Sequence, residues 1–187
     1  MLFNKVTTKI RALTKSVFTI GISAFLLISC ANASSDKKPA LTDANIAAIV
    51  VGANNIDISA GKIALQRSKN PEVQKFAQTM IDDHTAVLNS AVALVTRLGV
   101  TPVNNDLVTT LAKQSSDHEK NLRSLSGVAF DKSYIDHEVA YHQAVIGVIE
   151  NQLIPSAHNK ELKDTLISVL PAFKAHLKHC QMIQSNI

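Results

Sequence analysis

Three histidines sit on the apolar stripes of three separate helix-like segments. His84 follows Phe76 and Met80 and precedes Val87, Leu88 and Ala91. His142 follows Ile135 and Val139 and precedes Ile146 and Ile149. His176 follows Leu166, Val169 and Phe173 and precedes Cys180. Asp57 holds the same kind of place in a fourth series, Ile46, Val50, Ala53, Asp57, Ala60, Ala64. Imidazole and carboxylate side chains converging from facing helices are how helix bundles build metal sites. Glu138 lies four residues before His142 on one face, and Asp83 adjoins His84, so both are candidate supporting ligands. The candidate set for a transition metal ion is therefore His84, His142 and His176, with Asp57, Asp83 or Glu138 assisting.

Four long helices must position these groups. The first begins at Thr42–Asp43 and runs to about residue 68, with apolar residues at helical intervals. Asn70-Pro71-Glu72 is a restart signal, with Asn as N-cap, Pro at the first helical position and an acid in the first turn. The second helix then runs to Leu98, where Gly99 can take the left-handed terminating conformation. A shorter helix is expected over Asp106 to Leu125, ending at Gly127. Asp131 is expected to cap the next long helix, which Pro155 should stop after Ile154. Asn159 caps the last helix, which passes Cys180, and Pro171 inside it should cause a kink. No segment alternates with period two, so the chain reads as all-α, two antiparallel hairpins joined by a region that holds the short helix.

Counting from the two hairpin turns tests the convergence. Asp57 and His84 lie at nearly equal distance from the first turn, and His142 and His176 are offset by roughly 6 Å about the second. A metal needs at least two imidazole nitrogens within about 4–5 Å, given metal–nitrogen bonds near 2 Å. The competing interpretation is a buried polar core, with Asp57 paired to His84 and His142 to His176.

The amino terminus reads as an export signal. Lys5, Lys9, Arg11 and Lys15 precede an apolar run over 17–28 that is short for a membrane span. Leu27-Ile28-Ser29-Cys30 has the form of a lipobox, which would acylate Cys30 and anchor the chain to a membrane. Ala31-Asn32-Ala33 offers ordinary cleavage instead. We favour the lipobox, which gives a signal peptide over 1–29 (alternative 1–33), a polar tether over 30–40 and a domain over 41–187. The leader holds four of the 19 basic residues and none of the 15 acidic ones, so the remainder is balanced and no nucleic-acid partner is expected. Cys180 is the one cysteine left for the domain, which excludes an internal disulfide.

Three blocks resemble the domain-of-unknown-function-4142 family of exported ferritin-like proteins. They are NPEVQKFAQTMIDDH (70–84), SGVAFDKSY (126–134) with His142 eight residues on, and LPAFKAHL (170–177). The resemblance implies a ferritin-like antiparallel four-helix bundle with an additional short helix in the crossover, in the bacterial periplasm or cell envelope. It implies no activity. Family members often carry a glutamate where this chain has Asp57, and fold analogy alone does not carry ferroxidase chemistry across.

The di-iron pattern of two Glu-x-x-His pairs is missing, because Ile81, Val139 and Phe173 precede the three histidines by three. Histidines with an acid, Met80 and the Cys180 thiol would suit copper or zinc better than a di-iron pair. His118 is read as a packed histidine, Asp136-His137-Glu138 as a solvated face apart from Glu138, and His158 and His179 as peripheral. Met80 is read as core filler and Cys180 as a small buried hydrophobe. No phosphate loop, Ser/His/Asp order or zinc-finger spacing occurs, so a hydrolase or kinase is not supported. The sequence thus favours a non-catalytic envelope module for binding or stress protection. Copper, zinc or iron binding through the core histidines is the alternative, and a metal-dependent oxidoreductase ranks third.

Overall fold

The computed structural model describes residues 40–187. The signal peptide, its cleavage sites and Cys30 lie outside the described residues. The described residues are helical and contain no strand. We number the helices α1 (Asp43–Arg67), α2 (Pro71–Arg97), α3 (Asp106–Ser124), α4 (Gly127–Val148) and α5 (Lys160–Gln184). Local chemistry sets most of the boundaries. Thr42 and Asn45 form a reciprocal capping box at α1. Asn70 accepts from the amides of Glu72 and Val73 at α2, Asn105 from Leu107 and Val108 at α3, and Asn159 from Leu162 at α5. Gly99 ends the α2 segment at φ 65°.

Two boundaries depart from expectation. Asp131 does not cap α4; the helix starts four residues earlier, and Asp131 lies buried inside it. Ser126 occupies the N-cap position without a side-chain bond, and Gly127 at φ 58° turns the chain into the helix. Phe130, fully buried, fixes that first turn in the core, so tertiary packing outranks the capping signal. Pro155 does not stop the helix after Ile154 either. A wide π-type turn over Ile149–Leu153 leads into a last helical turn, Ile154–Ser156. Widening relieves the clash of the proline ring with the carbonyl four residues back. Asn151 donates to the Gly147 carbonyl in the same stretch. The last helix continues unbroken through Pro171.

Packing follows from the apolar stripes. α1 lies along α2 and α4 along α5, while α2 also meets α5, α1 meets α4, and α3 packs chiefly on α1. By composition α1 is apolar enough to cross a membrane, but its apolar residues are largely buried within the protein.

The core is two apolar clusters. One holds Ile63, Phe76, Met80, Phe130, Tyr134, Ile135 and Ile183; the other holds Ile46, Ile49, Leu94, Ile146, Leu153, Leu166 and Phe173. Every long helix passes from one cluster to the other, and α2 and α4 run opposite to α1 and α5. At the crossing each helix inserts polar residues: Asn54 and Asp57 from α1, His84 from α2, Glu138 and His142 from α4, and His176 from α5. Full burial of one large apolar side chain stabilises by about 1.5–3 kcal/mol. Two such clusters hold a polar layer that could not hold itself.

Candidate metal centre

The polar layer brings together the three stripe histidines. His84, His142 and His176 are 2%, 1% and 6% exposed. Their ring centroids stand 5.7, 5.4 and 5.5 Å apart, a nearly equilateral triangle. One ring nitrogen from each lies within 4.8 Å of the others. A second group, Asp57, Glu138 and His142, meets the same separation and shares His142 with the first.

Each histidine uses one nitrogen to fix its orientation. His84 Nδ1 lies 2.9 Å from Asn54 Oδ1, and the Asn54 amide is itself oriented by donating to the Val50 carbonyl. His142 Nδ1 lies 3.0 Å from the Glu138 carbonyl oxygen, and His176 Nε2 lies 2.8 Å from Asp83 Oδ2. All three partner atoms are acceptors, so the engaged nitrogens carry the protons and the opposite nitrogens carry lone pairs. Those opposite atoms, His84 Nε2, His142 Nε2 and His176 Nδ1, are buried with no hydrogen-bond partner among the described residues. An oriented imidazole with its other nitrogen held by a carboxylate, amide or carbonyl is the usual support for a metal ligand.

Electrostatics keep the lone pairs of His84 and His142 free. Burial lowers the His84 pKa to about 3, with His142 and His176 contributing, so it stays neutral. Burial also lowers His142 to about 4, against the opposing bond to Glu138 and with help from His176. Asp57 and Glu138 go the other way. Burial raises both well above the usual carboxylate range; the Asp57 charge adds to the rise at Glu138, while Glu138 partly offsets it at Asp57. The 3.5 Å approaches of His84 to Asp57 and of His142 to Glu138 are therefore contacts of neutral groups, not ion pairs. The Tyr134 hydroxyl is also buried without a partner among the described residues, while the protonated Asp57 and Glu138 meet each other in a side-chain hydrogen bond. Leaving one such group unmet costs about 1–3 kcal/mol. The concentration of free imidazole nitrogens in one layer argues for a positive charge that would use them together.

The remaining candidates fall into place around this layer. Asp83 is half exposed and orients His176 from outside. Met80 sits in the apolar cluster, and the thiol of Cys180, buried and bonded to the Leu177 carbonyl, is pushed up to about 12. Its inertness follows from burial. His137 does not lie on a solvated face: it is half-buried and stacks on His118 with centroids 3.6 Å apart. The α3 helix covers this part of α4, which the sequence could not place. His158 is exposed, whereas the His179 ring lies 5.3 Å from Phe76. Asn54 and Tyr134 were not singled out by the sequence. Helical spacing offered a signal for both, since Asn54 precedes Asp57 by three and Tyr134 precedes Glu138 by four.

Chemically, three buried imidazoles with two buried carboxyl groups beside them suit a borderline transition ion bound by nitrogen. The sequence matches the family described as "Domain of unknown function (DUF4142)" over residues 29–183, and the chain belongs to that family. No curated protein matches it. Among solved structures it is similar to "CopM in the Cu(II)-bound form", at 19% identity and TM-score 0.61, over 78% of this chain and 98% of that one. It is also similar to "CopM in the Ag-bound form", at 18% identity and TM-score 0.60, over 78% and 97%. A third likeness is to a putative secreted protein, DUF305, from Streptomyces coelicolor, at 11% identity and TM-score 0.65, over 76% and 91%. At these identities the likeness is one of helical fold.

Proposed function

We propose that this member of the DUF4142 family is a non-catalytic envelope protein that binds one transition metal ion, copper foremost, through His84, His142 and His176. The observation that carries this reading is the set of three buried, oriented imidazoles whose free nitrogens face no other partner among the described residues. The surrounding fold is read as a ferritin-like antiparallel four-helix bundle with α3 in the crossover. Imidazole nitrogen suits copper and zinc, and affinity along the divalent series peaks at Cu(II). Likeness to a protein crystallised in copper- and silver-bound forms agrees with that choice.

The residues divide the work. The three imidazoles supply nitrogen donors, while Asn54, Asp83 and the Glu138 carbonyl hold their rings. Glu138 and Asp57 supply charge: a cation beside them would lower their pKa values and expel protons. A carboxylate from Glu138 or Asp57 could complete the coordination, which would leave no open position for a substrate. This favours sequestration over catalysis. The export signal over 1–29 and acylation of Cys30 would place the bundle on the outer side of a membrane.

Metal analysis of the mature chain purified from its own cell envelope tests the reading. One ion per chain, lost in each of His84→Ala, His142→Ala and His176→Ala with helicity retained, is the expected result. An ion content unaffected by these changes, or no ion bound even after incubation with Cu(II) and Zn(II), overturns it.

A further inference from the structure

A second space lies beside the polar layer, on the far side of Asn54, Tyr141 and Phe173. It is a pocket of about 350 Å³ between α1, α2, α4 and α5, covered by α3. Its walls are almost wholly aliphatic, with Ala91, Leu94, Val145 and Leu166 among them. Asn54 and Tyr141 border it but point their polar atoms elsewhere, to His84, Val50 and the Ala53 carbonyl. One corner differs. There the stacked rings of His118 and His137 line the pocket beside Gln114, and His118 Nε2 is buried without a partner among the described residues. Ala140 and Ala144 line the pocket yet are exposed, which marks its mouth along α4, where α3 makes few contacts.

This combination selects a ligand class. A pocket of this size with apolar walls and one polar corner is the usual form of a small-molecule site. The walls have nothing to offer a polar molecule. Water would find few partners deep inside, because a buried water needs two to four polar contacts (about that many). An apolar chain would fill the space, and one small head group would meet the imidazoles. The corner disfavours charge: no lysine, arginine, aspartate or glutamate lines the pocket, so nothing in it would pair with a charged head. A neutral imidazole can donate or accept according to its tautomer, which matches a hydroxyl.

We infer that this pocket binds a single-chain amphiphile with an uncharged hydroxyl head, of the monoacylglycerol or fatty-alcohol class. The tail lies between the long helices, and the head lies at His118 and His137. The inference does not depend on the metal reading, because no residue of the imidazole triad lines the pocket.

Calorimetric titration of the mature, metal-stripped chain with monolaurin below its micelle concentration tests it. Laurate at alkaline pH serves as the charged counterpart, and phosphatidylglycerol vesicles as the membrane counterpart. Saturable binding of one monolaurin per chain is expected, with laurate at least about tenfold weaker. Ala91→Phe and Ala144→Phe, on different walls, should each abolish binding, and His118→Leu should weaken monolaurin while sparing dodecane. Should a filled variant not fold, a photo-reactive monoacylglycerol on the wild-type chain decides the matter: labelling of α3 and α4 peptides around the pocket supports the assignment. Lack of saturation, labelling elsewhere, equal binding by the filled variants, or binding to vesicles alone overturns it.

Discussion

Replacing His142 by leucine separates a metal ligand from a structural histidine. The side chain is 1% exposed, and its single hydrogen bond among the described residues goes to the Glu138 carbonyl on the same helix. Losing that bond costs about 0.5–1.5 kcal/mol, whereas removing the orphaned Nε2 recovers about 1–3 kcal/mol. Leucine also keeps apolar volume in the layer, so the metal-free variant should be more stable than the metal-free wild type by about 1 kcal/mol. For a domain of this size that is a rise in Tm of about 2–4 °C. The wild type should gain a further ~2.7 kcal/mol when the free ion stands at about one hundred times Kd, and the variant should gain none. Thermal unfolding followed by circular dichroism, with chelator and then with Cu(II) or Zn(II), reads both quantities. A His142→Leu protein that loses more than about 2 kcal/mol without metal, or that keeps the ion-induced rise, would refute the reasoning.

Further consequences follow from the same groups. Loading the ion should release protons from Asp57 and Glu138, since both are held neutral by burial; titration in two buffers of different ionisation enthalpy counts them, and zero release contradicts the pairing. In the metal-free state, His84 (about 3), His142 (about 4) and His137 (about 4) have folded pKa values below the unfolded 6.5, so each loses stability as pH falls below 6.5. Asp57 and Glu138, raised in the fold, act oppositely and lose stability as pH rises above their unfolded values. With His118 lowered as well, four histidines act against two acids, so chemical denaturation should show stability falling as pH drops from 6.5 towards 4, and a rise over that range would contradict the assignment. Gly61→Val should destabilise by about 1–3 kcal/mol, because a Cβ there would stand 3.0 Å from the Ala77 carbonyl oxygen and 3.1 Å from Ile81. Urea midpoints check this, and an unchanged midpoint would mean that α1 and α2 separate more easily than their packing implies.

The helices were legible because their ends carry side-chain chemistry. Asn70, Asn105 and Asn159 cap in the structure as the sequence dictates. Where the boundary depends on packing, as at Phe130, or on a widened turn, as before Pro155, local signals pointed to the wrong residue. Heights along the helices gave an offset between His142 and His176 of roughly 6 Å, yet the rings stand 5.5 Å apart. The reason is direction. Side chains lean toward the N-terminus of their helix, so in an antiparallel pair His142 leans away from the connecting turn and His176 toward it. The orienting partners were less visible. Asn54 shows its role only through His84 on another helix, and the Asp83 carboxylate meets the proton-bearing side of His176, so it orients that ring instead of binding an ion. Which nitrogen is free depends on partners from other helices, information that no single helical stripe contains. The pairing of His118 with His137 depends on where α3 lies, which periodicity does not fix.

X-ray absorption at the metal edge of the loaded, full-length mature protein tests the central claim most directly. The account predicts one ion with three imidazole nitrogens at about 2.0–2.1 Å, the outer-ring scattering of histidine, and a light-atom fourth ligand from Glu138 or Asp57. Each of His84→Ala, His142→Ala and His176→Ala should empty the site. A coordination sphere of water and surface carboxylates, or one that still holds three imidazoles in the His142→Ala protein, would contradict it.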